Sequence, residues 1–456
     1  MQRGGRPLGH RSGALTLPGV AASDPTTPPR PSRRDCDVLV VGAGPSGAAA
    51  SYWLAKAGLD VVTVEKKRFP REKTCGDGLT PRSVAQLQAM GLESEVATGH
   101  HRYEGLRSMA FGRMIEMKWP AVNGMPSYGF TITRHDLDEL VATNAEKAGA
   151  ELWQGAEAVA PLEAVGELGR SRAGGAVVAD KARGTTSEVR ARCVVVADGS
   201  LTRFGRALGT ARMKTWPQGM AIRGYFSSPR HDDTFIESHL DIRDKGGEVV
   251  PGYGWIFPLG DGRVNVGIGL LSTSERWKGV NTTKLMSDFV GFAPRSWCIS
   301  AETALSEPTG GRLPMGLAVG PRVGPDWVVV GDAAGSINPF NGEGIAYGYE
   351  TGRMAAEAIA ATLSTSSLEG LGGYEEQLQA AYGRYYAVAR AFVKAIGNPK
   401  IMRACVRSGM YVPPVMEWML RIMANLTRPE AAGPPELIYA GLDALARWAE
   451  QKKGAR

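Results

Sequence analysis

Cysteine is scarce in this chain: five among 456 residues, at Cys36, Cys75, Cys193, Cys298 and Cys405. An odd, scattered set argues against a disulfide framework, and the lack of any CxxC pair argues against a structural zinc site. A reducing cytosol fits such usage. His100, His101, His135, His231 and His239 fall at no metal-ligand spacing, so no metal is expected. No Ser-His-Asp arrangement can be argued. Nowhere do about 18 uncharged apolar residues run together, so no transmembrane helix is predicted. The short apolar stretch from Ala14 to Val20 is broken by Thr16, Pro18 and Gly19 and makes a poor signal-peptide core. There is no internal repeat.

The length suits two interleaved domains rather than one simple core. Glycine is abundant, at 59 residues, which favours nucleotide-binding loops over long helical bundles. The net charge is +7 with a pI near 9.1. A basic balance favours anionic partners, or is simply a solvated surface. Residues 1–34 mix Arg3, Arg6, Arg11, Arg30, Arg33 and Arg34 with Gly, Pro, Ser and Thr, and read as a disordered basic tail.

Asp37 to Val41 is an apolar run readable as a buried strand. Gly42-Ala-Gly44-Pro45-Ser46-Gly47 follows, then a helix-forming stretch to Ala57, a stop at Gly58 and a second strand ending in Glu65-Lys66. Gly42 permits a tight turn, Gly44 lets backbone approach a pyrophosphate, and Gly47 lets helix and strand pack closely. The helix N-terminus offers free N–H groups to phosphates, and Glu65 suits ribose hydroxyls. A lone GxGxxG is weak; strand, glycines, helix, strand and acid in order are not.

Two more strand ends carry loops of this kind. Arg192 to Ala197 leads into Asp198-Gly199. Trp327 to Val330 leads into Gly331-Asp332, then Asn341-Gly342, Gly344 and a helix from Ile345. Asp332 suits a ribityl hydroxyl, and the helix N-terminus at Gly344-Ile345 suits the pyrimidine edge of a flavin. There is no second GxGxxG, so a nicotinamide donor would have no Rossmann domain of its own and the electron donor stays unnamed.

These motifs resemble the FAD-binding set of the para-hydroxybenzoate-hydroxylase-like branch of glutathione-reductase-fold enzymes. The match is closer to the geranylgeranyl reductase family. Arg71-Glu-Lys-Thr-Cys75-Gly76-Asp-Gly78 resembles its Cys-Gly loop beside the isoalloxazine. Thr133-Arg134-His-Asp-Leu-Asp138 is similar to its Arg-x-x-Leu-Asp segment, whose Arg supports FAD. Gly252-Tyr253-Gly-Trp255-Ile-Phe257-Pro258 matches its Tyr-x-Trp-x-Phe-Pro signature lining a prenyl cavity. One motif departs: the branch often writes Asp-Gly-x-x-Ser-x-Val-Arg, and here Thr202 replaces Ser with no Arg at the expected offset. On pattern alone, aromatics at period two are more often plain core, and a lone cysteine a small hydrophobe. The resemblance reverses both readings.

It implies an α/β FAD domain at 35–215 and 307–365, an inserted sheet-based substrate domain at 216–306, and a helical region at 366–456. It implies FAD as cofactor, and a prenylated lipid or quinone as substrate, reduced at an isoprenoid C=C bond. Cys75, Tyr253, Trp255 and Phe257 are the candidate catalytic residues, with Arg71 and Lys73 expected to lower the Cys75 pKa. The Arg-, Ala- and Gly-rich composition looks like that of a high-GC actinobacterial protein, which narrows the expected substrate to one isoprene unit of a menaquinone tail. Geranylgeranyl diphosphate or a prenyl lipid is the alternative. A flavin monooxygenase or halogenase is the rival class, but halogenases carry Trp-x-Trp-x-Ile-Pro where this chain has Tyr253, Trp255 and Phe257-Pro258. A nucleic-acid partner leaves the flavin motifs unexplained. Leu437, Ile438, Leu442, Leu445 and Trp448 fall roughly on one helical face before Lys452, Lys453 and Arg456. With the stretch from Pro414 to Leu426, they read on pattern alone as ordinary helices packed against the body or as helices in a membrane interface; a lipid-borne substrate favours a peripheral protein at the inner face of the cell membrane.

Overall fold

The computed structural model describes residues 30–454, apart from 123, 163, 166–170, 245, 251, 274–278, 366–367 and 428–432. Residues 1–29 of the expected tail lie outside the described residues. The side chains of Lys452 and Lys453, and Arg456, also lie outside them. Ordered chain begins ahead of Asp35: Arg30 pairs with Asp180, and the first strand is Arg33–Val41.

Val38, Leu39, Val40 and Val41 are all buried, although neighbours on a strand point to opposite faces. Such a run is stable only with both faces covered, as in a central parallel strand. Arg33–Val41 pairs in parallel with Val61–Glu65 on one side and Thr185–Val196 on the other. Glu151–Gln154 extends the sheet beyond Val61–Glu65. Trp327–Val329 adds in parallel to Val194, Val195 and Val196. The early half of Thr185–Val196 instead pairs antiparallel with Gly175–Asp180, which pairs with Ala156–Pro161. Val38 and Val40 join Ala50, Leu54, Ala355 and Ile359 on the side of helices Pro45–Lys56 and Ile345–Ser364. Leu39 and Val41 face Trp153, Val178 and Trp327.

The crossing from strand to first helix needs two glycines. Gly42 has φ of 101°, and a Cβ there would sit 2.5 Å from the Ala197 carbonyl oxygen. A Cβ on Gly47 would lie 1.8 Å from the Gly42 oxygen. Both strand ends, at Val41 and Ala197, therefore meet at one backbone crossing.

A second seven-stranded sheet runs Thr309–Pro314, Gln218–Ser227, Arg263–Leu271, Gly252–Pro258, Phe235–His239, Gly105–Ala110 and Arg113–Lys118. Three of these strands come from outside residues 216–306. The hairpin Gly105–Lys118 joins in parallel along Phe235–His239, a pairing across some 130 residues that no local pattern announces. Helix Thr282–Phe292, capped by the Asn281 side chain accepting from the Lys284 N–H, covers one face through Leu285, Met286 and Phe289. Gly254 lets that helix approach: a Cβ would meet the Phe289 ring at 2.5 Å.

The C-terminal helices Arg384–Ile396, Pro399–Gly409, Pro413–Met423 and Pro434–Gly454 close the molecule. Tyrosine hydroxyls tie them down. Tyr385 donates to the Ile422 carbonyl at 2.8 Å, and Tyr386 donates to the Ser336 carbonyl at 2.5 Å. The apolar residues of the last helix lie on one broad face, part of it against the core and part exposed. Ile438 and Leu442 pack on the core, whereas Leu437, Leu445 and Trp448 stand exposed. At 100° per residue the five span an arc of about 140°, with 438 and 442 at its edge nearest the body and 437, 445 and 448 toward the exposed side.

Gly254→Val is expected to destabilise the protein by about 1–3 kcal/mol through overpacking against Phe289. Thermal melting tests this; an unchanged melting temperature would refute the described contact.

Candidate active site and cofactor cradle

Glu65 ends the second strand with its carboxylate buried. It accepts the Ala43 N–H at 3.2 Å and the Lys67 N–H at 3.0 Å, and pairs with Arg71 at 3.2 Å. The sequence element Thr133 to Asp138 opens helix Arg134–Lys147, whose N-cap Thr133 accepts the Asp136 N–H. On this helix Asp138, one turn after Arg134, holds it bidentately at 2.5 and 2.7 Å, and holds Arg71 at 2.9 Å. The two guanidiniums converge on Gly44: a Cβ there would lie 3.7 Å from Arg71 and 4.0 Å from Arg134. Lys73 adds a third cation, 3.8 Å from the Cβ position of Gly199. Burial lowers the Lys73 pKa, and Asp332 opposes that shift.

The cradle is thus cationic where side chains are missing, and Arg71 Nε is buried without a hydrogen-bond partner. Two helices, Pro45–Lys56 and Ile345–Ser364, begin here at Gly44 and Gly344 with no side-chain cap, leaving N–H groups free for an anion. Ser46 fits against Gly331, whose Cβ would meet Ser46 Oγ at 2.4 Å, so the first and third loops interlock. Asp332 Oδ1 lies 3.3 Å from the Cβ position of Gly344, and burial raises its pKa against Lys73 and Arg134. Asp198 accepts the Phe204 N–H at 2.8 Å, and Gly199 follows at φ of 80°. A pyrophosphate between Gly44, Arg71 and Arg134, with a ribose at Glu65 and a ribityl chain at Asp332, fits this donor set. Lys66 stands exposed outside the cluster and acts on Asp198 only through its charge.

The aromatic strand lies alongside. Tyr253, Trp255 and Phe257 stack in a row, with ring centroids 5.8 and 6.1 Å apart. Their register partners on Arg263–Leu271 are Gly269, Gly267 and Asn265. A Cβ on Gly267 would meet the Trp255 ring at 2.3 Å, so the missing side chain is what lets the indole lie down. The Cys75-to-Gly78 loop covers the other end: Cβ positions of Gly76 and Gly78 lie 3.3 and 3.1 Å from the Phe257 ring. Tyr253 donates to the Asn341 carbonyl at 2.8 Å, so the aromatic strand also touches the Asn341–Gly344 loop. Phe257 joins Trp119, Met117, Leu420 and Leu426, which brings helix Pro413–Met423 to the same wall.

Burial pushes the Cys75 thiol up, Asp77 adds to this, and Arg134 opposes it. The lowering expected of the basic loop does not prevail, because burial outweighs the opposing charge of Arg134. Tyr253 is pushed up to about 12 by burial, then by Cys75 and Glu343.

Sequence reading missed four buried polar groups here. Asp77, at φ of 63°, accepts Tyr225 OH and Asn265 Nδ2, each at 2.7 Å, on one oxygen, while Oδ1 has no partner. Burial pushes Asp77 up to about 6. Asn265 is wholly buried. Glu343 accepts from Thr80 and Ser83, keeps Oε2 unpartnered, and is raised by burial. Tyr225, the donor to Asp77, is the fourth. The signals were present: an acid inside Cys-Gly-Asp-Gly, an acid between Gly342 and Gly344, and the alternation Asn265, Gly267, Gly269 opposite the aromatics.

Fold and cradle are those of an FAD-dependent oxidoreductase with a second, seven-stranded sheet. The FAD binding domain family matches residues 35–252. The chain is 39% identical over 416 residues to a menaquinone reductase of Mycobacterium tuberculosis, covering 91% of this chain and 97% of that protein. It is 29% identical to digeranylgeranylglycerophospholipid reductase 1 of Methanothermobacter thermautotrophicus, over 75% of this chain and 81% of that one. The crystal structure of a geranylgeranyl bacteriochlorophyll reductase-like protein from Thermoplasma acidophilum shares the fold, with a TM-score of 0.70 at 22% identity, covering 90% of this chain and all of that one. The chain belongs to the geranylgeranyl reductase family of FAD-dependent oxidoreductases, and within it resembles the menaquinone reductases.

Three outcomes are expected. Arg134→Leu leaves Asp138 short of its bidentate partner, costs about 3–5 kcal/mol, and yields protein with little bound flavin by visible absorbance; full flavin content would contradict the cradle. Alkylation of Cys75 by iodoacetamide is slow near neutral pH and accelerates only in alkaline buffer; rapid labelling at pH 7 would show a thiolate instead. Asp77 is raised on folding, so its ionisation weakens the fold progressively as pH climbs through about 6. Asp77→Asn should therefore gain in melting temperature relative to the parent above pH 6 and lose that advantage below about pH 4; a pH-independent difference would refute this.

Proposed function

We propose that this protein saturates an isoprenoid C=C bond in a membrane-borne prenyl chain, most narrowly one isoprene unit of a menaquinone tail. The observation that carries the reading is the likeness to a menaquinone reductase across 97% of that protein. The site chemistry supports it. Reduced FAD, when bound, supplies a hydride equivalent. An isolated alkene has no carbonyl to activate it, so protonation of one carbon must leave positive charge on its neighbour. The ring faces of Tyr253, Trp255 and Phe257 stabilise such charge, and their apolar wall keeps out water that would capture it. Cys75, held as a neutral thiol by burial, carries a proton at Sγ beside Tyr253. Each five-carbon unit buried in an apolar groove contributes roughly 4 kcal/mol, enough to bind a long tail without polar contacts.

A tail of that kind resides in a bilayer. No helix among the described residues is long and apolar enough to cross a membrane. The exposed Leu437, Leu445 and Trp448 stripe supports a peripheral seat instead, with Ile401 exposed on helix Pro399–Gly409 and Tyr411 and Val412 exposed in the turn after it. Lys400, Arg403 and Arg407, exposed on helix Pro399–Gly409, match an anionic inner leaflet.

The deciding assay is anaerobic. The holoprotein is reduced with dithionite and given menaquinone or geranylgeranyl diphosphate in separate reactions, and products are weighed by mass spectrometry. Two hydrogens gained in the quinone tail are expected. Saturation of the diphosphate alone would change the substrate and keep the reaction. Saturation of neither, with oxygen-dependent turnover on an aromatic, would overturn the reading.

A further inference from the structure

Asn265 occupies a position that neither cofactor binding nor the aromatic wall explains. It stands across the sheet from Phe257, on the face that carries Gly267 and Gly269. Its Oδ1 accepts the Trp255 Nε1–H at 2.9 Å. Its Nδ2 donates to the Cys75 carbonyl at 2.9 Å and to Asp77 Oδ2 at 2.7 Å. Tyr225, on the next strand, donates to the same Asp77 oxygen at 2.7 Å. Asn265 and Asp77 are both fully buried, and Trp255 is 4% exposed.

A side-chain amide in an apolar sheet is expensive unless every hydrogen-bonding group is used. Asn265 uses all of them: both hydrogens and the oxygen. Each bond goes to a part of the candidate site, and among the described residues Asn265 alone hydrogen-bonds both the Cys75 loop and the Trp255 indole. Leucine in its place would pack with less cost. An ordinary sheet residue therefore does not account for the amide.

We infer that Asn265, together with Asp77, is the positioning pair that fixes the Cys75 loop against the Trp255 ring. The amide holds the loop by its carbonyl and the indole by its N–H, so thiol and ring face keep one mutual placement. Asp77 anchors the amide from behind, and Tyr225 anchors Asp77. The pair touches neither cofactor nor substrate in this role; it acts through Cys75 and Trp255.

The structural arm of this inference is independent of the reductase reading, whereas its kinetic arm rests on it. The test compares Asn265→Leu and Asn265→Asp with the parent holoprotein. Alkylation of each cysteine is followed by peptide mass spectrometry, with exposed Cys298 and Cys405 as internal references. Loss of one buried hydrogen bond should speed Cys75 labelling about tenfold, with the references unchanged and flavin content retained. Prenyl saturation should then fall in kcat with KM held. Should Asn265→Leu fail to fold, Asn265→Asp decides, since it keeps an acceptor for Trp255 and loses the donor to Cys75. Parent-like Cys75 labelling in a folded variant overturns the inference. A parent enzyme that saturates no prenyl chain overturns the reductase reading, and the labelling result still decides the positioning role.

Discussion

Asp138 is the point on which the site is built. One buried carboxylate holds two guanidiniums, from Arg71 and Arg134, aimed at a glycine that offers them nothing. With Lys73, the three cations are matched in number by Glu65, Asp138 and Asp332. The two guanidiniums nevertheless flank Gly44, where an anion can share the space. The phosphates of a dinucleotide are that anion, and the uncapped helix starts at Gly44 and Gly344 add partial charge of the same sense. Much of the fold serves to bring these pieces together: three parallel strand ends, two helix N-termini and one loop from the far side.

The substrate face is made by subtraction as much as by addition. The Tyr253 and Trp255 rings find room because the neighbouring strand presents Gly269 and Gly267 to them. The helix behind them approaches because Gly254 has no side chain. The glycine surplus in the composition is spent there as well as in the nucleotide loops. The result is an apolar wall that touches the flavin loop at one end, through Tyr253, and the C-terminal helices at the other, through Phe257.

What the sequence made legible was local. Asp37 to Glu65 reads as strand, turn, helix and strand because each element is signalled within a few residues. Tyr253, Trp255 and Phe257 alternate at the strand period. The links between segments were not legible. Asp77 and Asn265 are 188 residues apart, and their bond depends on a sheet register that no motif encodes. The hairpin Gly105–Lys118 gave no sign that it would extend the distant sheet. Charge near Cys75 was visible, but the burial of its loop beneath the aromatic strand was not, so the direction of the thiol's shift was misjudged.

The hydrogen bond from Tyr253 to the Asn341 carbonyl joins the wall proposed to meet the prenyl chain to the loop that opens helix Ile345–Ser364. A joint of this sort obeys reciprocity. If a chain lying on the ring favours one setting of the loop, that setting of the loop favours the chain by the same factor. Tail occupancy and the environment of the flavin ring are then two readings of one equilibrium, and an enzyme built this way distinguishes a loaded groove from an empty one before any bond is made.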